Sequence, residues 1–332
     1  MKVLLVALGR MGCRYRDALQ NHFSEDLSIT TVDPKLSTDE TINHYSHLEE
    51  VPHTLQFDLA IDASPNQDRL ARFQQFLERN IPHLVIEKPH AASLAESSRM
   101  IALLEACRKP PTVLMPFYER YGTHYLPSTL AQLKAGPLKS IMISSGAIGL
   151  GCNGIHYIDL ANYLFGAEPT EIYASLLPDS VPSPRGAQFM DHAGTLLVHY
   201  PAGKLILDMS PDSSAGSNIT LIYEHGKIQL LEQIEMAWHW YRQPEDTWTD
   251  PFYRTHREVS IVPPCAVEKD LVNVMIPNAL KDLLSGRPVP DIYDGHRALR
   301  VIALAIASHL DKRPLCWQTE DNPVNELAFQ FT

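Results

Sequence analysis

In its first third the chain alternates short apolar runs with stretches of helical spacing. VLLVAL (3–8), SITTVD (28–33), LAIDAS (59–64), HLVIEKP (83–89) and PTVLMPF (111–117) read as strands. Met11 to Phe23, Asp68 to Arg79 and Leu94 to Cys107 read as helices, the last carried by Leu94, Met100, Leu103 and Leu104. Strands and helices alternating at this spacing predict βαβ units around a parallel sheet. Both faces of such a sheet are covered, so its strands are apolar throughout, as these are.

After about residue 120 the pattern becomes longer and β-rich: KSIMISSGAI, TEIYASLL, GTLLVHYPAGKLILDMS and SNITLIYEHGKIQLLEQ. LLVHY and KLILDMS flank the turn residues Pro201, Ala202 and Gly203, and ITLIYE and KIQLLE flank His225 and Gly226, so two hairpins are expected in a mostly antiparallel sheet. GIHYIDLANYLF (154–165) has helical spacing, and two closing helices are expected over about 267–285 and 295–310. Proline patches at Pro110 and Pro111, Pro182 and Pro184, and Pro263 and Pro264 mark loops. The change of pattern puts a domain boundary near residue 118, giving domains 1–118 and 119–332, with the closing helices free to pack back on the first domain.

Composition narrows the function. The 332 residues suit two domains, and a net charge of −11 without a cluster of Lys or Arg argues against a nucleic-acid partner. The longest apolar runs, Val3 to Leu8 and Val301 to Ala307, are far short of the ~20 residues of a membrane helix. Five scattered cysteines (Cys13, Cys107, Cys152, Cys265 and Cys316) form no C-x-x-C pair, which suits a reducing cytoplasm and offers no structural zinc site; no metal is expected.

ALGRMG (7–12) follows the first strand directly and opens a helix. There a G-x-G-x-x-G turn binds a dinucleotide pyrophosphate on backbone N–H groups and the helix dipole. Ala7 replaces the first glycine, and Leu8, Gly9, Arg10, Met11 and Gly12 make up the rest. Asp33 closes the second strand about 20 residues past the last glycine, where the ribose-binding carboxylate is expected. A carboxylate there repels a 2′-phosphate and favours NAD over NADP, with Lys35 two residues on softening the preference. The competing interpretation is a plain tight turn capped by Asp33.

Two further segments fall at carboxyl ends of strands, where open α/β sheets bind ligands: IDASPNQ (61–67) and VIEKPH (85–90). A Lys held before a Pro has a constrained backbone, and beside a nicotinamide it can polarise a substrate hydroxyl or carbonyl. The glycine turn, Ser64-Pro65-Asn66, Glu87-Lys88-Pro89, Gly154-x-His156-x-x-Asp159-Leu160 and DGHRALRVIALAIAS (294–308) together resemble the Gfo/Idh/MocA oxidoreductase family in order along nearly the whole chain. The resemblance implies an α/β protein: a Rossmann domain, a doubly wound parallel sheet, followed by an α+β domain with a large open-faced, mostly antiparallel sheet. It implies hydride transfer between NAD(P) and a carbohydrate-like alcohol or ketone. It assigns Lys88 to orienting and deprotonating the reacting hydroxyl and His156 to proton exchange. Ser64, Pro65 and Asn66 would line the nicotinamide ribose, with Glu87 near the cofactor.

The chain departs from the pattern at Cys152. Family members that oxidise polyols usually carry an Asp four positions before the His, and a thiol cannot raise the His pKa as a carboxylate does. Arg120, Cys152, Asn153 and Tyr157 are candidate substrate contacts; for Arg120 a solvated surface role competes equally. Tyr200 and Lys204 match Y-x-x-x-K, but Pro201 and Gly203 disfavour the helix that motif needs. The cluster Trp238, His239, Trp240 and Tyr241 suits either stacking on a sugar ring or an interface. Two other classes stay open: a cofactor-retaining glycoside lyase or hydrolase, and a dinucleotide or ligand sensor without turnover. An open sheet face also implies a homodimer or homotetramer.

Overall fold

The computed structural model describes residues 1–23, 26–35, 43–122, 135–146, 148–177, 181–182, 189–231, 236–241, 257–262, 270–319 and 322–329. Cys265, Pro184, Pro263, Pro264 and the expected helix start at 267–269 lie outside these residues.

Among the described residues, the first sheet has six parallel strands, β1 (Lys2–Val6), β2 (Ser28–Val32), β3 (Asn43–Tyr45), β4 (Leu59–Asp62), β5 (His83–Ile86) and β6 (Thr112–Leu114), in the order β3-β2-β1-β4-β5-β6. The order turns back on either side of β1, so the crevice between the ends of β1 and β4 is a topological switch point. β4 is buried at every position and β1 at all but Lys2, because helices α1 (Arg10–His22), α2 (Arg69–Glu78) and α3 (Leu94–Ala106) belong to the crossovers. Helix α3 starts on Ser93, whose hydroxyl accepts the Glu96 N–H. β3 carries no apolar signal, and NHY reads as loop until it pairs with β2.

A short helix α4 (Glu119–Gly122) leads to the second sheet, whose order is β16-β15-β14-β13-β7-β12-β11-β8-β17. Its strands are β7 (Leu138–Gly146), β8 (Glu171–Leu176), β11 (Gly194–Tyr200), β12 (Gly203–Ser210), β13 (Asn218–Tyr223), β14 (Gly226–Leu231), β15 (Met236–Tyr241), β16 (Arg257–Val262) and β17 (Leu315–Cys316). Both hairpins form, and the parallel pair β7–β12 is the exception in an otherwise antiparallel sheet. Tyr200 and Lys204 sit across the β11–β12 turn, not on a helix. A separate ribbon pairs β9 (Val181–Pro182) with β10 (Met190–Asp191).

Burial alternates along these strands. One face is covered by helix α5 (Ile155–Phe165), entered through a π-helical turn (Leu150–Gly154), and by α7 (Ile292–Asp311). The register aligns Tyr173, Leu197, Ile206, Met142 and Thr220 across the opposite face, where Tyr173 and Met142 are exposed.

Helix α6 (Ile276–Leu284) packs back on α1, its Ile276, Ala279, Leu280 and Leu283 sharing a core with Val3, Leu5 and Tyr15 of the first sheet layer. A last helix α8 (Asn322–Asn325) precedes Phe329, which is buried and donates its N–H to the Ala92 carbonyl at 2.7 Å.

Candidate active site

β1 runs into Ala7, whose φ of 69° is the left-handed conformation usually left to glycine. Gly12 cannot carry a side chain, since a Cβ there would overlap the Ala7 carbonyl oxygen; around Gly9 the space is open to 4 Å. Gly12 thus serves helix–strand packing, and Gly9 leaves the start of α1 bare. Helix α1 has no side-chain cap and no acidic residue in its first turn, so its N–H groups and positive dipole end face outward. A bare helix start of this kind could hold a pyrophosphate. Asp33 is buried beside it, accepting the Leu8 N–H at 2.7 Å and the Lys35 N–H at 2.8 Å. The carboxylate therefore braces the glycine turn against the end of β2. Arg10 is exposed, with Leu8 and Met11 half-buried.

β4 ends on the buried Asp62, which pairs with Arg72 at 3.0 Å and lies 3.6 Å from Arg69. The Ser64 hydroxyl donates to the same carboxylate. The fully buried Arg69 donates to the carbonyls of Ser64, Glu87 and Pro89, tying the 64–66 loop to the Glu-Lys-Pro loop. Pro65 is half-buried beside them. The Asn66 amide turns inward, donating to the carbonyls of Ala91 (3.5 Å) and Phe329 (3.3 Å), so it fastens the end of the chain to this loop.

Glu87 is buried and accepts the Tyr15 hydroxyl at 2.8 Å, which in turn accepts Tyr118 at 2.6 Å. Burial pushes the Glu87 carboxyl up, while Lys88, Tyr15 and Arg69 pull it down. Tyr15 lies one helical turn beyond Gly12, so this chain locks the cofactor helix to the strand that presents Lys88. The Lys88–Pro89 bond is cis. Lys88 leaves the first domain and donates from Nζ to the Cys152 carbonyl, with the Cys152 thiol at 4.0 Å.

Cys152 lies in the π-helical turn four residues before His156, which stands on the first turn of α5 with Phe117 edge-on at 6.0 Å. Asn153 is exposed beside it. Tyr157 points the other way, buried on the sheet and donating to the Ser217 hydroxyl at 2.6 Å. The Arg120 guanidinium is committed to two carboxylates, Asp159 in two-point contact and Asp294 at 3.1 Å, with the Tyr163 ring 4.7 Å from its centre. Burial pushes Asp159 up to about 7 against the pull of Arg120. The structure therefore gathers the glycine turn, Asp33, Ser64, Glu87 and Lys88 at the strand ends and brings Cys152 and the His156 helix to Lys88. It turns Asn66, Tyr157 and Arg120 toward protein partners.

The unforeseen members are Tyr15, Tyr118, Arg69 and Asp191. Each has a partner 15 or more positions away, and no local motif marks it. Trp238 and His239 lie on β15, next to the edge strand β16 of the second sheet. Among the described residues no three metal-ligating side chains come together, and no helix is long and apolar enough to cross a membrane.

A six-stranded parallel sheet with a bare glycine turn at its switch point defines a dinucleotide-binding α/β protein. Residues 1–114 match the family described as "Oxidoreductase family, NAD-binding Rossmann fold", so the first sheet with its helices is similar to the NAD-binding domain of Gfo/Idh/MocA-type oxidoreductases. No curated protein sequence matches. Among solved structures, an NAD binding oxidoreductase from Klebsiella pneumoniae superposes with a TM-score of 0.73 at 15% identity, covering 96% of this chain and 99% of that one. An oxidoreductase from Agrobacterium radiobacter, in complex with NAD+, L-tartaric acid and magnesium, gives 0.72 at 15%, covering 96% and 98%. Levoglucosan dehydrogenase in complex with NADH gives 0.72 at 14%, covering 96% and 99%. At such identities the likeness is one of fold, and it extends across both sheets.

Proposed function

We propose that this chain transfers a hydride between NAD and a carbohydrate-like alcohol or ketone, with Lys88 and His156 handling the proton. The observation that carries the reading is the position of Lys88: its ammonium crosses from the strand end of the NAD-binding domain to the first turns of the His156 helix. The nicotinamide, when bound, supplies the hydride acceptor or donor. Lys88 would hold the substrate oxygen by a charge-assisted hydrogen bond and favour its deprotonated form. The half-buried His156 would take that proton in oxidation and return it in reduction. Ser64 lies at the ribose side, and Asn153 and Cys152 border the substrate space. A carbohydrate-like substrate is supported by the shared fold of levoglucosan dehydrogenase, whose name gives a sugar derivative as its substrate.

Asp33 supports NAD over NADP, because a 2′-phosphate would meet a buried carboxylate already fixed by two backbone N–H groups. The boundary near residue 118, the cytoplasmic setting and a homodimer or homotetramer through the open sheet face belong to the same proposal. For the last, the exposed Tyr173 and Met142 give the face an apolar centre. The test is fluorescence titration with NADH and NADPH, followed by absorbance assays of NAD+ against sugars, polyols and levoglucosan. Tighter NADH binding and net NADH formation on one of these alcohols are expected. Failure to bind either cofactor would sink the proposal.

A further inference from the structure

The His156 helix begins without a cap of its own. Gly149 precedes the π-helical turn and supplies no side chain, so its first N–H groups are left to find other partners. They find them about forty residues later in the sequence, at β10. The Leu150 N–H donates to the His192 carbonyl at 2.7 Å, the Gly151 N–H to Asp191 Oδ1 at 2.8 Å and the Cys152 N–H to Asp191 Oδ2 at 2.7 Å. The His192 N–H adds a bond to Oδ1 at 2.8 Å. The carboxylate is buried, and its seat is tight enough that a Cβ on Gly149 would overlap it.

A buried carboxylate is costly unless its lone pairs are met, and here three N–H donors and the positive end of a helix meet them. Such an arrangement holds the turn in one backbone conformation. The turn matters because Cys152 is bound on both sides: its N–H is held by Asp191, and its carbonyl accepts from Lys88 Nζ. Other titratable groups face these two residues as well, Glu87 beside Lys88 and His192 beside Asp191.

We infer that Asp191 is a positioning residue: by fixing the Cys152 backbone it keeps the carbonyl that grips Lys88 Nζ at the mouth of the His156 helix. A carboxylate is thus supplied from β10 to the turn that carries Cys152, acting on Lys88 through backbone and not on His156 directly. The inference rests on the proposed role of Lys88, but its test reads Lys88 itself.

The test is the rate at which acetic anhydride acylates Lys88 across a pH series, resolved by mass spectrometry on the full chain, with thermal melting as the control for folding. Loss of the carbonyl acceptor releases Nζ to the reagent, so Asp191→Asn should speed Lys88 acylation at fixed pH by about tenfold. Gly149→Ala displaces the same carboxylate without removing its charge and should do likewise. Equal rates in the wild type and both folded variants would overturn the inference. So would an effect of Asp191→Asn alone, which would mean a through-space charge and not positioning. Hydrogen exchange on the unmodified protein needs no variant: the Gly151 and Cys152 amides should be protected, and exchange at the rate of an open helix start would overturn the clamp. Full turnover in a Lys88→Met variant would instead sink the proton role while leaving these readouts untouched.

Discussion

Arg120 and Asp159 meet in a two-point ion pair, Nε to Oδ2 at 2.7 Å and Nη2 to Oδ1 at 2.6 Å, which joins the segment just past β6 to the helix that carries His156. Asp159 lies three residues beyond His156, so the pair sets the helix relative to the first sheet. Removing one partner of a buried pair leaves the other charge uncompensated. Arg120→Met should therefore cost about 3–5 kcal/mol in urea unfolding, whereas Arg120→Met combined with Asp159→Leu should recover much of that loss. Additive losses in the double variant would show that the two residues are not coupled.

The two glycines of the turn should separate folding from binding. Gly12→Ala must push α1 off the Ala7 carbonyl and should cost about 1–3 kcal/mol. Gly9→Ala meets no protein atom and its φ of −71° suits alanine, so stability should change by less than about 0.5 kcal/mol. If the turn holds a pyrophosphate as proposed, the added methyl crowds its approach, and NADH binding should weaken about tenfold or more. Calorimetry and NADH titration on both variants check this, and the reverse assignment would refute the cradle.

Asp33→Ala should weaken NADH more than NADPH, since it removes both a ribose acceptor and the carboxylate that repels a 2′-phosphate. Paired titrations decide it, and a greater loss of NADPH would count against the carboxylate argument.

His90, buried beside Lys88-Pro89, gives a pH prediction. Its ring nitrogen Nε2 contacts Ser97 Oγ at 2.7 Å, and that hydroxyl reaches His296 at 2.8 Å. Burial, with His296 and Arg69 adding to it, pushes His90 down from 6.5 to about 3. Between those values the unfolded chain binds a proton that the folded chain does not, so stability falls as pH falls and the effect vanishes above about 6.5. From pH 6.5 to 5 this costs about 2 kcal/mol. Urea unfolding at both pH values should show that loss shrink in His90→Gln; an identical slope would contradict it.

Much of the fold was legible because the two sheets have different burial. Apolar runs such as LAID mark strands covered on both faces, and GTLLVHY alternates because one face is open. The glycine turn and Asp33 could be found because a tight strand-to-helix turn fixes their spacing. β3 stayed hidden because its three residues are held by pairing with β2, not by burial. Asp191 and Arg120 were opaque for a different reason: their partners lie about forty residues away in sequence, so geometry alone assigns them. The inward turn of Asn66 depends on Phe329, at the far end of the chain.

The proton role of Lys88 is tested most directly by comparing wild type and Lys88→Met in one pair of assays, NADH affinity and turnover of NAD+ with an alcohol that the wild type oxidises. The structure predicts affinity within a few fold and turnover reduced by about 10²–10⁴. A variant that binds NADH and turns over at the wild-type rate would contradict the role assigned to Lys88.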